Sequence, residues 1–303
     1  MRLYERISPE DSQKTVYQVL KNRLMISTKL LKKLRDNNLI FLNGQSVFTI
    51  HRVREGDILT VDLDGLPESG LYVVPEDLPL DVLYEDECFI AINKAPNTVV
   101  HPTNIHSGGT IANALAYRYL KNGYKAKIHP VSRLDRDTSG VILFAKDNHS
   151  AHLFSRMHHA QTFEKEYIGI VDGIITPPAG EITYPIGRDP NSIVLRIVSP
   201  DGYPTKTRYE TISVSSLFPV SLAAFYPLTG RTHQIRVHAK AIGHPIISDQ
   251  LYGDDKYADV IPRQALHSKK LQFLHPFNKN EITIEAPLPT DIQAALDKLG
   301  LTL

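Results

Sequence analysis

Cysteine is almost absent from this 303-residue chain, and long apolar runs are missing. Cys88 is the single cysteine, which excludes an internal disulfide framework and a cysteine-rich zinc site. No apolar stretch reaches the about 18 residues of a membrane span, and the first residues, MRLYERISPEDSQK, contain no apolar segment of the kind that a signal peptide needs. We therefore expect a protein that works in a reducing cytoplasm and does not enter a membrane.

The net charge of +1 conceals an uneven distribution along the chain. Residues 1–54 carry eleven Lys and Arg against four Asp and Glu, a net of +7, whereas the remainder carries 23 basic and 29 acidic residues. A basic surplus in a short segment favours a polyanion-binding surface, since each phosphate contact uses a cation and releases counterions. The alternative interpretation is a solvated basic face without a ligand.

Two short helices are predicted near the N-terminus. In SPEDSQKTVYQVLKNRL, Ser12 is a candidate N-cap and apolar residues follow at helical spacing. In ISTKLLKKLRDNN, Ser27 or Thr28 caps the helix, and Asn37-Asn38 suits a left-handed end. The leucines of this second helix form one apolar stripe. Basic residues lie opposite or beside that stripe, namely Lys29, Lys32, Lys33 and Arg35.

A small β element follows the two helices. Asn43-Gly44 is typical of a tight hairpin turn, and DILTVDL is typical of a strand. Helix, basic helix and NG turn in this order resemble the alpha-L motif, an RNA-binding module of a ribosomal small-subunit protein and of many RNA-modifying enzymes. The resemblance covers about residues 12–63 and implies that the basic helix contacts RNA. We assign residues 1–63 to this αα-β module and the Pro-, Gly- and acid-rich residues 64–79 to a linker.

Residues 80–303 contain many short apolar segments and only a few helical ones. Strands are predicted in VLYEDECFIAINKA, GVILFAK, EYIGIVDGII, IVLRIVS, TRYETISV, SLAAFYPLTG and ITIEAPL, and helices in TIANALAYRYL, SAHLFSRMHHA and THQIRVHAKAIG. Strand follows strand more often than helix, which predicts an α+β domain around a mixed, largely antiparallel sheet with flanking helices. A Rossmann fold is not predicted, because the sequence lacks the glycine fingerprint of that fold.

The segment RLDRDTSG, residues 133–140, concentrates charge before a buried strand. Asp135, Asp137, Ser139 and Gly140 match the first half of a calcium-binding loop. The position that should supply a bidentate glutamate is Lys146, however, and VILF reads as a strand rather than an exiting helix. A calcium site is therefore not predicted.

A second polar segment, PLTGRTHQIRVHAKAIG, begins at residue 227. Thr232 is a candidate N-cap for a helix that runs to Gly243 and carries Arg236. His233 and His238 are five residues apart, so they point about 140° away from each other on a helix, and no HExxH pattern is present. No metal site is predicted here either.

RLDRDTSG, KEYIGIVDG and GRTHQIRVH, in this order, resemble the RluA-type family of RNA pseudouridine synthases. INKAPNTVVHP and GHPIISDQLYG resemble the flanking motifs of that family, and the resemblance covers roughly residues 75–290. It implies that Asp135 is the catalytic aspartate, that Tyr167 contacts the target base and that Arg236 pairs with the aspartate. Ser132 departs from the family pattern, which usually has histidine there, so contacts of this loop with RNA are expected to differ.

The chemistry implied by the resemblance needs no cofactor and no metal. The bond from ribose to nitrogen breaks, the uracil rotates and a bond to carbon five forms, without oxidation or energy input. A carboxylate is needed as a nucleophile or as a base, and the sequence does not choose between these mechanisms. A uridine inside a helix must be flipped out. Arg133 or Arg136 is expected to hold RNA, and the ring of Tyr167 to stack on the extruded base.

The predicted partner is RNA. Large-subunit ribosomal RNA is the expected substrate, and transfer RNA is the alternative. A non-catalytic RNA-binding or ribosome-assembly protein on the same fold is a further alternative, although Asp135, Tyr167 and Arg236 would then have no need to be kept together. We expect a monomer.

Overall fold

A computed structural model describes residues 2–66, 73–103, 107–123, 128–159 and 163–303, and it describes no side chains for residues 156–159. No helix within these ranges is long and apolar enough to cross a membrane. The described residues form two sheets of four and ten strands and a separate two-stranded hairpin.

Residues 2–66 build the four-stranded antiparallel sheet and two helices around a core of their own. The elements are β1 (Arg2–Arg6), α1 (Val16–Asn22), α2 (Thr28–Asp36), β2 (Ile40–Leu42), β3 (Gln45–Ser46) and β4 (Ile58–Asp62). The strand order is β1-β4-β2-β3. Leu30, Leu31 and Leu34 of α2 are buried in this core, which leaves the opposite side of α2 to the solvent. Strand β1 had no counterpart among the predicted elements.

Local signals explain the boundaries of these helices. The side chain of Ser27 accepts the N–H of Leu30 at 3.1 Å, so the predicted cap of α2 is confirmed. The predicted cap of α1 is wrong, because Thr15, not Ser12, forms a capping box with Gln18. Ser12 instead ends a preceding turn of 3-10 helix, Pro9–Asp11, as its C-cap. The predicted NG hairpin is confirmed, with both residues in the left-handed region.

The elements of the larger unit follow in chain order. They are β5 (Val82–Glu85), β6 (Phe89–Lys94), α3 (Ile111–Lys121), β7 (His129–Pro130), β8 (Ser139–Ala145), α4 (Asn148–His159), β9 (Phe163–Asp172), β10 (Ala179–Ile182), β11 (Ile186–Arg188), β12 (Arg196–Val198), β13 (Thr207–Val214), β14 (Val220–Pro227), α5 (Gln234–Ala241), β15 (Leu266–Leu274), β16 (Glu281–Glu285) and α6 (Thr290–Leu299).

Ten of these strands form the large sheet, in the order β10-β13-β14-β9-β15-β8-β6-β5, with β16 beside β15 and β7 beside β8. Only β15 and β8 pair in parallel among the described strands. The predicted α+β fold around a mixed, largely antiparallel sheet is therefore confirmed. All seven residues of β8 are buried, which agrees with its continuous apolar sequence. Gly140 in β8 has φ +110, and a Cβ there would clash with the backbone of Ser268 in β15.

The predicted linker has two different parts. Residues 67–72 lie outside the described residues. Further along, the side chain of Asn113 in α3 donates to the carbonyl of Val74 at 2.8 Å, and the N–H of Glu76 donates to the carbonyl of Asn113 at 3.1 Å. The last part of the linker is therefore hydrogen-bonded to the larger unit.

Candidate active site

Asp135 lies in the segment that connects β7 to β8, which we call the catalytic loop (residues 131–138). The N–H of Thr138 donates to the carbonyl of Asp135 at 3.2 Å and closes a turn. Two cations hold the next carbonyls: Lys94 Nζ donates to the carbonyl of Arg136 at 2.7 Å, and Arg263 Nη1 donates to that of Asp137 at 2.8 Å. The backbone after Asp135 is thus fixed from inside the protein.

Lys94 reaches the catalytic loop from the end of β6 and is fully buried. Its ammonium group also donates to the carbonyls of Ala95 and Thr98 at 2.8 and 3.0 Å. Burial lowers the pKa of Lys94 to about 7, and the negative charges of Asp137 and Asp135 offset only part of that effect. Three carbonyl acceptors thus compensate for the desolvation of this amine.

Arg236 extends from α5 to the catalytic loop. Its Nη1 donates to Oδ2 of Asp135 at 2.9 Å, as predicted for the pair. Its Nε and Nη2 donate to Oδ2 and Oδ1 of Asp249, both at 2.7 Å. Burial alone would lower the pKa of Arg236, but hydrogen bonds and charges from Asp249 and Asp135 raise it overall. The guanidinium is therefore charged and bridges two carboxylates.

Tyr167 lies in β9, between Phe225 of β14 and Ser268 of β15. It is 8% exposed and lines a cavity of about 670 Å³ together with Asp135 and Arg236. Burial raises the pKa of Tyr167 to about 12, so the phenol is neutral at physiological pH. The structure thus brings the three predicted catalytic residues to one cavity, although they are up to 101 positions apart in the chain.

His233 stands at the start of α5, which corrects the predicted helix boundary. The N-cap of α5 is His233 rather than Thr232, and its φ of 59° and ψ of 17° are left-handed. Its Nδ1 is 2.8 Å from the hydroxyl of Tyr252, and its Nε2 is 3.9 Å from Oδ1 of Asp135. Burial lowers the pKa of His233, against the opposing charge of Asp135. A non-glycine residue in this conformation beside a cavity is typical of functional sites.

The predicted RNA-binding residues of the catalytic loop occupy its exposed side. Arg133 lines the cavity, and its Nη2 donates to the hydroxyl of Thr232 at 3.3 Å. Arg136 is exposed and pairs with Asp137 at 3.1 Å. Ser132, at the position of the usual family histidine, is buried and also lines the cavity.

The predicted RNA-binding residues of α2 are also at the surface. Lys29, Lys32 and Arg35 are exposed, whereas Lys33 is half-buried. Arg35 pairs with its neighbour Asp36 at 3.0 Å, so part of its charge is compensated. The lysines therefore offer the larger share of the positive surface of this helix.

The histidine that suggested a zinc site and the lysine that argued against a calcium loop both have partners within the protein. His238 is buried, and its Nδ1 and Nε2 are each 2.9 Å from the hydroxyls of Thr207 and Thr205. Lys146 pairs with Glu85 at 2.8 Å. Both groups are thus satisfied within the protein.

Another group of possible ligand atoms comes from Asp86, Cys88 and His275, which lie within 4.8 Å of one another. Nδ1 of His275 accepts the N–H of Asn278 at 3.4 Å, and its Nε2 lies 3.2 Å from Oδ2 of Asp86. Nε2 is a buried atom without a hydrogen-bond partner among the described residues, so its approach to Asp86 is a close contact and not a hydrogen bond.

Two buried residues of the site had no predicted role, Asp249 and Arg263. Asp249 falls in GHPIISDQLYG, which was noted only as a flanking motif. Arg263 meets the catalytic loop across 126 positions, and no local pattern announces such a contact.

Comparison with known proteins places this geometry in a family. A family model described as RNA pseudouridylate synthase matches residues 88–241. The Bacillus subtilis (strain 168) protein named "Uncharacterized RNA pseudouridine synthase YhcT" is 36% identical over 95% of this chain and 94% of its own length. The Buchnera aphidicola protein named "Ribosomal large subunit pseudouridine synthase D" is 35% identical over 90% of both chains.

A solved structure agrees with these matches. The protein titled "Human RNA Pseudouridylate Synthase Domain Containing 4" superimposes with a TM-score of 0.59 and 25% identity, covering 74% of this chain and 94% of that one. The family match, the identity of full-length relatives and the shared fold together show that the chain belongs to the RNA pseudouridylate synthase family of enzymes.

Proposed function

We propose that the protein converts uridines of large-subunit ribosomal RNA into pseudouridine, with Asp135 as the catalytic carboxylate. The observation that carries this proposal is the convergence of Asp135, Arg236 and Tyr167 on one cavity, with Arg236 donating to Asp135 at 2.9 Å. The ribosomal substrate is supported by the relative named "Ribosomal large subunit pseudouridine synthase D", which is similar over nine-tenths of the chain.

Asp135 is placed to act on a nucleotide in the cavity. Its side chain is 25% exposed, and Arg236 Nη1 binds only Oδ2, which leaves Oδ1 available to a substrate in the cavity. In the reaction the bond from the ribose carbon to N1 of uracil breaks and a bond from that carbon to C5 forms. C5 loses its proton and N1 gains one, so the atoms balance without a co-reactant. Asp135 serves this exchange as nucleophile or as base.

Tyr167 and the exposed cations accommodate the RNA. A flipped uracil costs a few kcal/mol to extract from a helix, and stacking on an aromatic ring returns about 1–3 kcal/mol. The ring of Tyr167 lines the cavity beside Asp135 and contacts the base. Arg133 and Arg136 hold phosphates at its edge, and the exposed lysines of α2 bind RNA further from the site.

The test uses RNA labelled with tritium at C5 of uridine, because isomerisation releases that label. Asp135→Asn should abolish release and leave RNA affinity within about twofold of wild type, since one charge in the cavity is removed without loss of volume. Asp137→Asn is the matched control, because its carboxylate pairs with Arg136 outside the cavity, and it should remain active. Equal release by wild type and Asp135→Asn would contradict the catalytic assignment.

The substrate is tested separately by mapping pseudouridines in cells with and without the protein. Loss of specific sites from large-subunit ribosomal RNA is expected. Loss confined to transfer RNA would overturn the substrate and leave the chemistry of Asp135 intact.

A further inference from the structure

A second carboxylate, that of Asp249, competes with Asp135 for the same guanidinium. Asp249 is completely buried, and it takes Nε and Nη2 of Arg236 as a parallel pair of hydrogen bonds at 2.7 Å. Such a bidentate pair fixes the plane of the guanidinium as well as its position. Only Nη1 is then presented to Asp135, at 2.9 Å.

The carboxylate of Asp249 is itself held by the backbone that follows it. Its Oδ1 accepts the N–H of Leu251 at 3.0 Å and that of Tyr252 at 3.2 Å. The carbonyl of Asp249 accepts the N–H of Gly253 at 2.8 Å, which closes the turn. With four hydrogen bonds to two oxygens and no exposure, this side chain has one orientation.

Tyr252, in the same turn, connects this arrangement to His233. The guanidinium carbon of Arg236 lies 5.1 Å from the centre of the Tyr252 ring. The Tyr252 hydroxyl accepts the N–H of Arg196 at 2.9 Å, and its own proton satisfies Nδ1 of His233 at 2.8 Å. The N–H of neutral His233 is then on Nε2, 3.9 Å from Oδ1 of Asp135.

We infer that Asp249 is a positioning residue for the isomerisation: it locks Arg236 so that a single N–H reaches Asp135, and Tyr252 completes the frame by orienting His233. The inference rests on the proposed catalytic role of Asp135. Without Asp249, the guanidinium rotates and donates to both oxygens of Asp135. The oxygen that faces the substrate is then occupied by Arg236, and the carboxylate moves.

The first test is Asp249→Asn in the full chain, assayed by tritium release. We expect kcat to fall on the order of 100-fold, because a displacement of about 1 Å at a catalytic group has that effect. KM should change less than twofold, since Asp249 does not reach the cavity surface. Arg236 also loses a compensating negative charge, so the acid limb of the pH profile of kcat should move to lower pH by about one unit.

A matched control is Asp11→Asn. Asp11 is likewise buried and accepts from Arg23 Nε at 2.6 Å, but it lies in the N-terminal unit. Its kcat and pH profile should match those of wild type. A kcat loss in both variants, or an unchanged acid limb in Asp249→Asn, would show that loss of a buried carboxylate acts through stability alone and would overturn the inference.

If Asp249→Asn does not fold, Tyr252→Phe tests the inference instead, because this substitution removes one hydroxyl oxygen and no charge. We expect a kcat loss of about tenfold with unchanged KM, since His233 loses the partner that fixes its tautomer. A wild-type kcat for Tyr252→Phe would overturn the inference. Activity of Asp135→Asn would instead overturn the proposed function, so the two failures are distinguishable.

Discussion

The exposed lysines of α2 in the N-terminal unit and the buried basic residues behind the catalytic loop are used in opposite ways. Lys29 and Lys32 of α2 are exposed. Lys94, Arg236 and Arg263 are 0%, 4% and 7% exposed, and they donate to carbonyls and carboxylates of the protein itself. Both sets consist of basic residues, but only the exposed ones are free to exchange their counterions for phosphates. These basic residues therefore divide into exposed ones that are available to a polyanion and buried ones that hold the catalytic loop.

The buried set illustrates why such cations are costly and still present. A buried charge loses its hydration and must be compensated by several acceptors. Arg263 donates to six acceptor atoms of five residues, including Asp291 of α6, which accepts from Nε and Nη2 at 2.7 and 2.9 Å. One carbonyl acceptor of Lys94 and one of Arg263 belong to the two consecutive residues directly after Asp135, Arg136 and Asp137. The hydrogen bonds that compensate for the burial of Lys94 and Arg263 thus also fix the backbone directly after Asp135.

The largest effect is expected for Arg263→Met, which removes one of the two buried cations under the catalytic loop. The carbonyl of Asp137 loses its donor, and Asp291 loses its partner. We expect the free energy of unfolding, measured by urea denaturation, to fall by about 2–3 kcal/mol. This is less than for a fully buried ion pair, because Asp291 is partly exposed. We also expect kcat to fall on the order of 100-fold as Asp135 shifts.

Arg118→Met provides the control for that experiment. Arg118 pairs with Glu85 at 2.6 Å, but its side chain is 38% exposed and the pair lies away from the catalytic loop. We expect a stability loss below about 1 kcal/mol and normal kcat. Similar kcat losses in both variants would refute the division between exposed and buried cations.

The next effect concerns the exposed set. In the double variant Lys29→Ala and Lys32→Ala, the slope of log K for RNA against log salt should become shallower by about 1.4–1.8, since each lost phosphate contact removes about 0.7–0.9. The value of kcat at saturating RNA should not change. Lys121→Ala with Lys298→Ala removes the same charge from α3 and α6. An equal change of slope in this control pair would mean that α2 contributes only net charge.

An effect on stability alone is expected from the titration of Lys94. Its pKa of about 7 in the folded protein lies below its ordinary value, so the unfolded chain binds a proton that the folded protein has released. Between about pH 7 and pH 10, Lys94 should therefore make stability increase with pH, by at most about 1.4 kcal/mol per unit. Lys94→Met should lack this contribution in urea denaturation at pH 7 and pH 9. Parallel pH dependences of wild type and Lys94→Met would contradict it.

The sequence predicted features that depend on neighbours in the chain and missed those that depend on distant contacts. The NG hairpin, the Ser27 cap and the buried strand β8 follow from local turn, cap and apolar patterns. Strand β15, central in the sheet, was not predicted, because its sequence LHSKKLQFL has lysines in the middle and a register shift between Ser268 and Lys270. Strand β15 is buried because strands pair with it on both sides, and its own sequence gives no sign of those neighbours.

The candidate site shows the same division. Motifs that resemble the family indicated Asp135, Tyr167 and Arg236, and these three residues line one cavity. Arg263 lies in no such motif, and it donates to a carbonyl 126 positions away in the chain. Asp249 lies in one of the flanking motifs, but its contact with Arg236 is not visible in the sequence. Residues that a family motif marks for a role are thus easier to find in a sequence than the residues that hold them in place.

The smallest effect separates two neighbouring residues of the N-terminal unit, Thr15 and Ser12. Thr15→Ala should destabilise this unit by about 1 kcal/mol, because the hydroxyl of Thr15 accepts the N–H of Gln18 at the start of α1. Ser12→Ala, which changes the residue that the sequence favoured as cap, should cost less than about 0.5 kcal/mol. Amide exchange in residues 16–22 would rise only in Thr15→Ala, and kcat would be normal in both, since α1 packs in a core separate from the catalytic loop. Faster exchange in Ser12→Ala would place the functional start of α1 one turn earlier.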